Sequence, residues 1–230
     1  MSDLFYTGQR KHTNGSFSVS YKGAPDIVKK LHKLKDGGEV AIKRTVSDFT
    51  NRAPAWVSKG IREHYGVDTA AIKDAGPKKR KGSTSVKVAG IQVDGAALEY
   101  RGRTLTTVHF KQSPKQRPTD QQKKPLRIPG QAIAGAGDVA MIRPPKKYKV
   151  KATIIKGQRS TLPPGTFIAE GNGGVSLPFQ RTSEARMPIE AVRTLSVPQM
   201  IDGRARDTIQ ETISDKLGNR FEHYINQAMK

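Results

Sequence analysis

The side chains that most often bind metal ions or transfer protons are few and scattered in this chain. It has 230 residues, with no cysteine and five histidines. No histidine has another histidine or a carboxylate at the spacing of a metal site, and Glu63 and His64 are neighbours whose side chains point apart on a helix. We therefore expect surface or half-buried histidines, and no metal ligands, at His12, His32, His64, His109 and His223.

The sequence gives no reason to place a catalytic nucleophile. It has no G-x-S-x-G elbow and no cysteine to serve instead. The segment "GNGGVSLPFQR" at 171–181 has the glycines of a phosphate-binding loop, but it lacks the Lys-Ser/Thr ending and the following helix. It predicts a tight turn between two strands. Because the acidic residues are also dispersed, we expect neither enzymatic activity nor a cofactor.

Three basic runs carry the strongest functional signal: "KKRK" at 78–81, "KKPLR" at 123–127 and "KKYKVK" at 146–151. In a strand, Lys147, Lys149 and Lys151 would share one face, with Tyr148 and Val150 on the other. Such a stripe suits sequence-independent contacts to a DNA backbone, whereas the alternative is a solvated face that keeps the protein soluble. The candidate DNA-facing residues are Lys78, Lys79, Arg80, Lys81, Lys123, Lys124, Arg127, Lys147, Lys149 and Lys151.

The overall charge also favours an anionic partner but does not identify which kind. The formal net charge is +21, which attracts nucleic acid, anionic membranes and acidic proteins alike. No apolar stretch is long enough to span a membrane, and the N-terminus lacks the apolar centre of a signal peptide. Only 35% of the residues are hydrophobic, so we expect a modest core, with part of the chain in loops, arms or an assembly surface.

The elements that must position these residues form three regions. Residues 1–77 predict an N-terminal helical region, with one helix around Ile27 to Leu34, a break at Gly37-Gly38, a second helix to Phe49, and a third after Pro54 that ends at Gly66. "DTAAIKDA" predicts a further helical turn. Residues 78–196 predict short antiparallel strands with a long basic loop or arm at 111–138.

Alternation at Leu105, Thr107 and His109 predicts one of these strands, and "RMPIEAVR" predicts the last. Residues 197–230 predict a long C-terminal helix packed on the sheet, with Gly203 and Gly218 as places where it can bend. Ser196 and Gln199 form a capping box at its start, with Pro198 in the first turn. The fold class is therefore α+β, as one domain overall.

The apolar side chains of the C-terminal helix recur at intervals of four. We expect this stripe to pack on the protein's own sheet, against a second subunit, or on both, because it is longer than one small sheet can cover. The candidate subunit-contact residues are Ile209, Ile213, Leu217, Phe221 and Ile225.

From Lys146 onward the chain resembles the minor tail protein Z family of phages and prophages. The resemblance lies in the basic strand ending in "IIKG", then "GTFIAEGNGGVSLPFQR", and above all "PIEAVRTLSVPQM" before a long terminal helix. It covers about 85 residues, and extends more loosely to "NRAPAWVSKGIREHYGVDTAAIK". The resemblance therefore implies no catalytic residues in this chain.

This resemblance implies a virion structural protein of the tail or neck, assembled in the host cytoplasm. The expected partners are further copies of the chain in a hexameric ring, a tail tube or tail terminator protein, a head-side connector protein, and genomic DNA in the channel, with no membrane. The competing hypothesis is a free-standing basic nucleic-acid-binding protein. A phage nuclease or protease would require a carboxylate or nucleophile cluster that the sequence does not contain.

Overall fold

The computed structural model describes residues 4–5, 12–15, 34–76, 78–88, 91–119, 124–125, 141–142, 148–171, 173–184 and 187–230. A 3-10 turn at Thr107–Phe110 lies between the third and fourth strands. The helices are α1 (Lys35–His64), α2 (Thr69–Asp74), α3 (Val197–Asp202) and α4 (Arg206–Ala228). The strands are β1 (His12–Gly15), β2 (Lys78–Val88), β3 (Ile91–Arg103), β4 (Lys124–Pro125), β5 (Met141–Ile142), β6 (Lys151–Ala152), β7 (Ser160–Thr161), β8 (Phe167–Glu170), β9 (Ser176–Arg181) and β10 (Ile189–Ala191).

All the paired strands are antiparallel, which confirms the predicted α+β class. One three-stranded sheet has the order β1-β3-β2, and a second has the order β10-β9-β8. Strands β4 and β5 pair as a two-stranded unit, as do β6 and β7. The buried core draws on all three predicted regions, with Val57, Ile168 and Ile209 each at most 1% exposed.

The N-terminal helical region differs from its prediction because α1 is a single helix of 30 residues. Gly37 and Gly38 lie in its first turn instead of forming a break, and Pro54 lies inside it. Proline removes one helical hydrogen bond, which normally ends or kinks a helix. Here Ala53 before the proline and Val57 after it are both fully buried, so packing holds the helix continuous. The helix predicted around Ile27 lies outside the described residues.

The long C-terminal helix is also divided differently. It ends at Asp202, bends at Gly203 and resumes at Arg206, so only the first of the two predicted bends interrupts it. The short α3 contacts β1 and β3, while the long α4 packs mainly along α1 instead of on a sheet. The two long helices approach closely at Gly60, where an added Cβ would lie 2.7 Å from Cγ1 of Ile209.

The apolar stripe of α4 faces its own chain. Ile209, Ile213, Phe221 and Ile225 are at most 4% exposed, and Leu217 is partly buried against the core. In this conformation these side chains have almost no surface to offer a second subunit. Packing within the chain, the alternative to a subunit contact, therefore accounts for the stripe.

A polar cluster centred on Asp48 joins the same two helices. The Tyr224 hydroxyl donates to its carboxylate at 2.9 Å, and the Nε atoms of Arg52 and Arg220 lie 3.2 and 3.7 Å from it. The hydrogen bond to Asp48 is the largest cause that raises the pKa of Tyr224. These contacts fix how α4 lies along α1.

Local patterns predict several other elements correctly. Gln199 N–H donates to the Ser196 hydroxyl, and Ser196 N–H donates to the Gln199 side chain, which confirms the capping box. Strands β8 and β9 form the hairpin predicted around the glycines, and α2 and β10 lie where they were predicted. The alternation at Leu105 to His109 is wrong as a strand, because residues 107–110 form the 3-10 turn.

Candidate nucleic-acid interface and adjoining cleft

The basic segment at 149–153 is held between two neighbouring segments. Lys151 and Ser113 exchange backbone hydrogen bonds of 2.8 and 2.9 Å on one side. On the other side Lys151 pairs with Thr161, and Leu162 N–H donates to Val150 O at 2.9 Å. Pairing on both sides satisfies the backbone polar groups and gives this segment a defined orientation.

The predicted alternation of this segment is confirmed for its described residues. Val150 and Ala152 are buried, whereas Lys149 and Lys151 are exposed. Tyr148 is half-buried, and its hydroxyl accepts a hydrogen bond of 2.7 Å from Ile168 N–H. The buried face anchors the segment to the core, and the two lysines project from the opposite face.

The pairing brings further cations beside these lysines. Segment 111–117, which reaches Lys151 through Ser113, carries exposed Lys111, Lys115 and Arg117. Within the described residues, no carboxylate lies within salt-bridge distance of any of the five cations. We name this set the basic surface: Lys111, Lys115, Arg117, Lys149 and Lys151.

The start of the predicted basic loop at 111–138 is therefore bound to the neighbouring strand through Ser113. Lys124–Pro125 pairs with Met141–Ile142, and residues 126–138 lie outside the described part of the chain. Lys123, Arg127 and Lys147 also lie outside it. Residues Lys78 to Lys81 belong to β2, where their backbones pair with Glu99 to Ala96 of β3. Among the described residues, no strand pairing links Lys78–Lys81 to the basic surface.

A cleft of about 760 Å³ opens beside the basic surface. It is formed by the last turn of α1 and the residues that follow it, by the 3-10 turn and the segment after it, and by the turn between β8 and β9. Three cations line it, namely Arg62, Lys111 and Lys115, together with the Asp68 carboxylate and with hydroxyl, imidazole and valine side chains. It is thus both cationic and partly apolar.

Two residues from distant parts of the sequence form a fixed pair in this cleft. Asp68 Oδ1 accepts a hydrogen bond from Ala71 N–H at 2.7 Å and so caps α2. Its other oxygen, Oδ2, lies 3.0 Å from Nδ1 of His109. The backbones are joined as well, since Asp68 N–H donates to His109 O at 2.9 Å. The carboxylate thus has partners on both oxygens, and its position orients the imidazole.

Lys111 has an unusual backbone conformation at the edge of the cleft. If the antiparallel pairing of Ser113 with Lys151 continued regularly, residue 111 would lie opposite Thr153. Instead, Thr153 N–H donates to Phe110 O at 2.8 Å. Lys111 is the extra residue and also ends the 3-10 turn, with φ +50° and ψ +50°. Glycine normally takes such a bulge position, because a side chain raises the energy of the left-handed conformation by about 1–2 kcal/mol.

Sequence reasoning missed Arg62, Asp68, Lys111 and Lys115 as site residues, and assigned no role to His109. Asp68 and His109 are 41 positions apart, so no local spacing reveals their contact. In the residues that the structure describes, no cluster of three or more His, Asp or Glu side chains is arranged to hold a metal ion.

The chain as a whole was compared with known proteins in three ways. Protein-family models, curated proteins and solved structures all give no match. Across the described ranges, none of the helices has the length and apolar character needed to cross a membrane.

Proposed function

We propose that this chain is a structural protein of a phage virion, a tail-completion or neck subunit that forms a ring around the DNA channel. The observation that carries the proposal is the basic surface, which presents five exposed cations on two segments that are joined by the pairing of Ser113 with Lys151. Cations without carboxylate partners attract phosphates without reading sequence. The segmental resemblance to the minor tail protein Z family supports the location in the tail.

The geometry of the surface suits a phosphate backbone. Lys149 and Lys151 are two residues apart in an extended segment, which separates them by about 6.6 Å. Two long cationic side chains on one face of the segment can contact phosphates of one strand without reading its sequence. A ring would repeat the contact around the channel, so that weak contacts from each subunit act together.

The proposed ring is hexameric and joins a tail tube or tail terminator protein to a head-side connector protein. Its subunit contacts lie outside the buried stripe of α4. They involve surfaces such as those around the exposed side chains of Val40, Met187 and Met229. The ring and its partners rest on the resemblance, while the DNA contact also rests on the basic surface.

The DNA contact is tested with Lys149→Gln combined with Lys151→Gln. Affinity for duplex DNA is measured by fluorescence anisotropy over a series of salt concentrations. Each lysine that contacts one phosphate contributes about 0.9 to the slope of log affinity against log salt, so the double variant should lose about 1.8. An unchanged slope would remove the basic surface from the proposal.

The matched control combines Lys59→Gln with Lys216→Gln, since both lysines are exposed on the long helices. This pair removes the same charge elsewhere and should leave the slope unchanged. Mass spectrometry of purified virions, followed by imaging of the neck, tests the virion role. Absence from particles, together with nucleic acid bound in cell extracts, would favour the free-standing nucleic-acid-binding protein.

A further inference from the structure

We propose that the cleft beside the basic surface binds a single nucleotide unit, with its phosphate on the cations and its sugar and base against the valines. This site is separate from the backbone contact of Lys149 and Lys151. The proposal is independent of the virion role, because a free nucleotide and a nucleotide of a strand present the same chemistry to the cleft.

The donors in the cleft match a phosphate group. Arg62 comes from α1, and Lys111 and Lys115 flank the bulge, so the cations are contributed by two separate segments. Thr69 and Ser176 add hydroxyl groups to the lining. Phosphate accepts hydrogen bonds on several oxygens at once and is bound in this way by Lys, Arg, Ser and Thr side chains.

The apolar part of the lining gives the remainder of a nucleotide a place to pack. Val108 and Val175 are 37% and 50% exposed, and both line the cleft. The described residues contain only three other large hydrophobic side chains that are this exposed. A lining that combines cations with exposed apolar side chains fits a ligand that is anionic at one end and flat and weakly polar at the other.

Hydrogen bonds within the chain hold two of the segments that line the cleft. The Thr107 hydroxyl donates to Gln112 Oε1 at 2.7 Å, and Gln112 Nε2 donates to Pro114 O at 3.2 Å. The glycine turn is closed as well, with Gly171 N–H donating to Val175 O at 2.9 Å. A preformed site binds more tightly, because less ordering accompanies binding.

The strained conformation of Lys111 is an independent reason to place a ligand here. Glycine or asparagine would relieve the left-handed backbone, yet the position holds a lysine that lines the cleft. Strained residues are concentrated at binding sites, where a particular side chain is needed despite its conformation. The size of the cleft, about 760 Å³, is typical of a small-ligand site and favours a nucleotide over an extended acidic peptide.

The test is calorimetric titration of the full chain with thymidine 5′-monophosphate, thymidine and inorganic phosphate. The wild-type protein should bind the monophosphate more tightly than either fragment. Lys111→Asn should weaken that binding about tenfold, as expected for loss of one charge-assisted contact. The same variant should melt no lower than the wild type, because asparagine tolerates the left-handed conformation.

Lys115→Gln provides a second variant at an exposed position that does not share the bulge. It should also weaken monophosphate binding, whereas Lys149→Gln should leave it within twofold. Equal affinity for the monophosphate and for inorganic phosphate would overturn the proposal. So would wild-type affinity in both Lys111→Asn and Lys115→Gln, or equally effective competition by a glutamate-rich peptide.

Short thymidine oligonucleotides with and without a 5′-phosphate identify the source of the nucleotide. Displacement of the monophosphate only by the phosphorylated oligonucleotide would identify a strand end. Equal displacement by both would identify an internal nucleotide, and displacement by neither would identify a free nucleotide. Each of these results supports the site, and none depends on whether the protein is found in virions.

Discussion

The burial of Ile213 gives a quantitative test of how α4 is used. Its side chain is 0% exposed, and Ile213→Ala removes three carbon atoms from the interface between α4 and the rest of the chain. At about 0.8 kcal/mol for each buried carbon, the transfer term is about 2.4 kcal/mol. The cavity left behind adds to this, so we expect the free energy of unfolding to fall by about 3–4 kcal/mol.

Urea denaturation followed by circular dichroism measures this loss. Because the contact lies within one chain, the loss should be the same at two protein concentrations roughly tenfold apart. Leu217→Ala, on the same helix but partly buried, is the matched control and should lose about half as much. A loss below about 1 kcal/mol for Ile213→Ala, or one that depends on protein concentration, would refute intramolecular packing and restore the subunit contact.

Four smaller changes test other parts of the structure. Gly66→Ala should lower stability by about 2–3 kcal/mol, because its Cβ would overlap a backbone carbonyl oxygen. Gly165→Ala, with open space but φ +79°, should lose only about 1 kcal/mol in the same denaturation assay. Ser196→Ala removes the cap of α3 and should lower the melting temperature through a loss of about 1 kcal/mol. The raised pKa of Tyr224 adds stability that is fully present below the unfolded pKa of about 10 and is lost as pH rises through the pKa of the folded state. Asp48→Asn removes the main cause of this shift, so the absorbance titration of Tyr224 should move to lower pH.

The elements that sequence reasoning predicts correctly are those determined by neighbouring residues. The capping box spans only Ser196 to Gln199, and the hairpin of β8 and β9 depends on glycines at its turn. The alternation at Val150 to Ala152 follows from the period of a strand. In each case the side chains that decide the structure lie within a few positions of one another.

The elements that it misses are decided by contacts across the chain. Pro54 and the Gly37-Gly38 pair are local signals for a helix end, yet buried residues on both sides of Pro54 keep α1 continuous. Helix propensity is a weak preference that packing of this kind overrides. The sequence also leaves open which surface the stripe of α4 covers, because periodicity identifies an apolar face but not its partner.

The candidate site depends most strongly on such long-range contacts. "HFKQSP" contains no glycine, so nothing in the local sequence predicts a left-handed residue at Lys111. Lys111 ends the 3-10 turn, and it lies where Ser113 pairs with Lys151 while Phe110 pairs with Thr153, which leaves one residue to be accommodated between them. Pairing between segments creates both the bulge and the edge of the cleft.

This shared origin couples the two proposed binding sites. Lys111 and Lys115 belong to both the basic surface and the cleft lining, and Ser113 between them is bound to Lys151. A phosphate in the cleft would neutralise these two cations, so fewer would be available to a DNA backbone. Since coupling between ligands is reciprocal, duplex DNA should weaken nucleotide binding by the same factor. Saturating nucleotide should lower the salt slope for duplex DNA by up to about 1.8, whereas unchanged slopes would mean that Lys111 and Lys115 do not contact DNA.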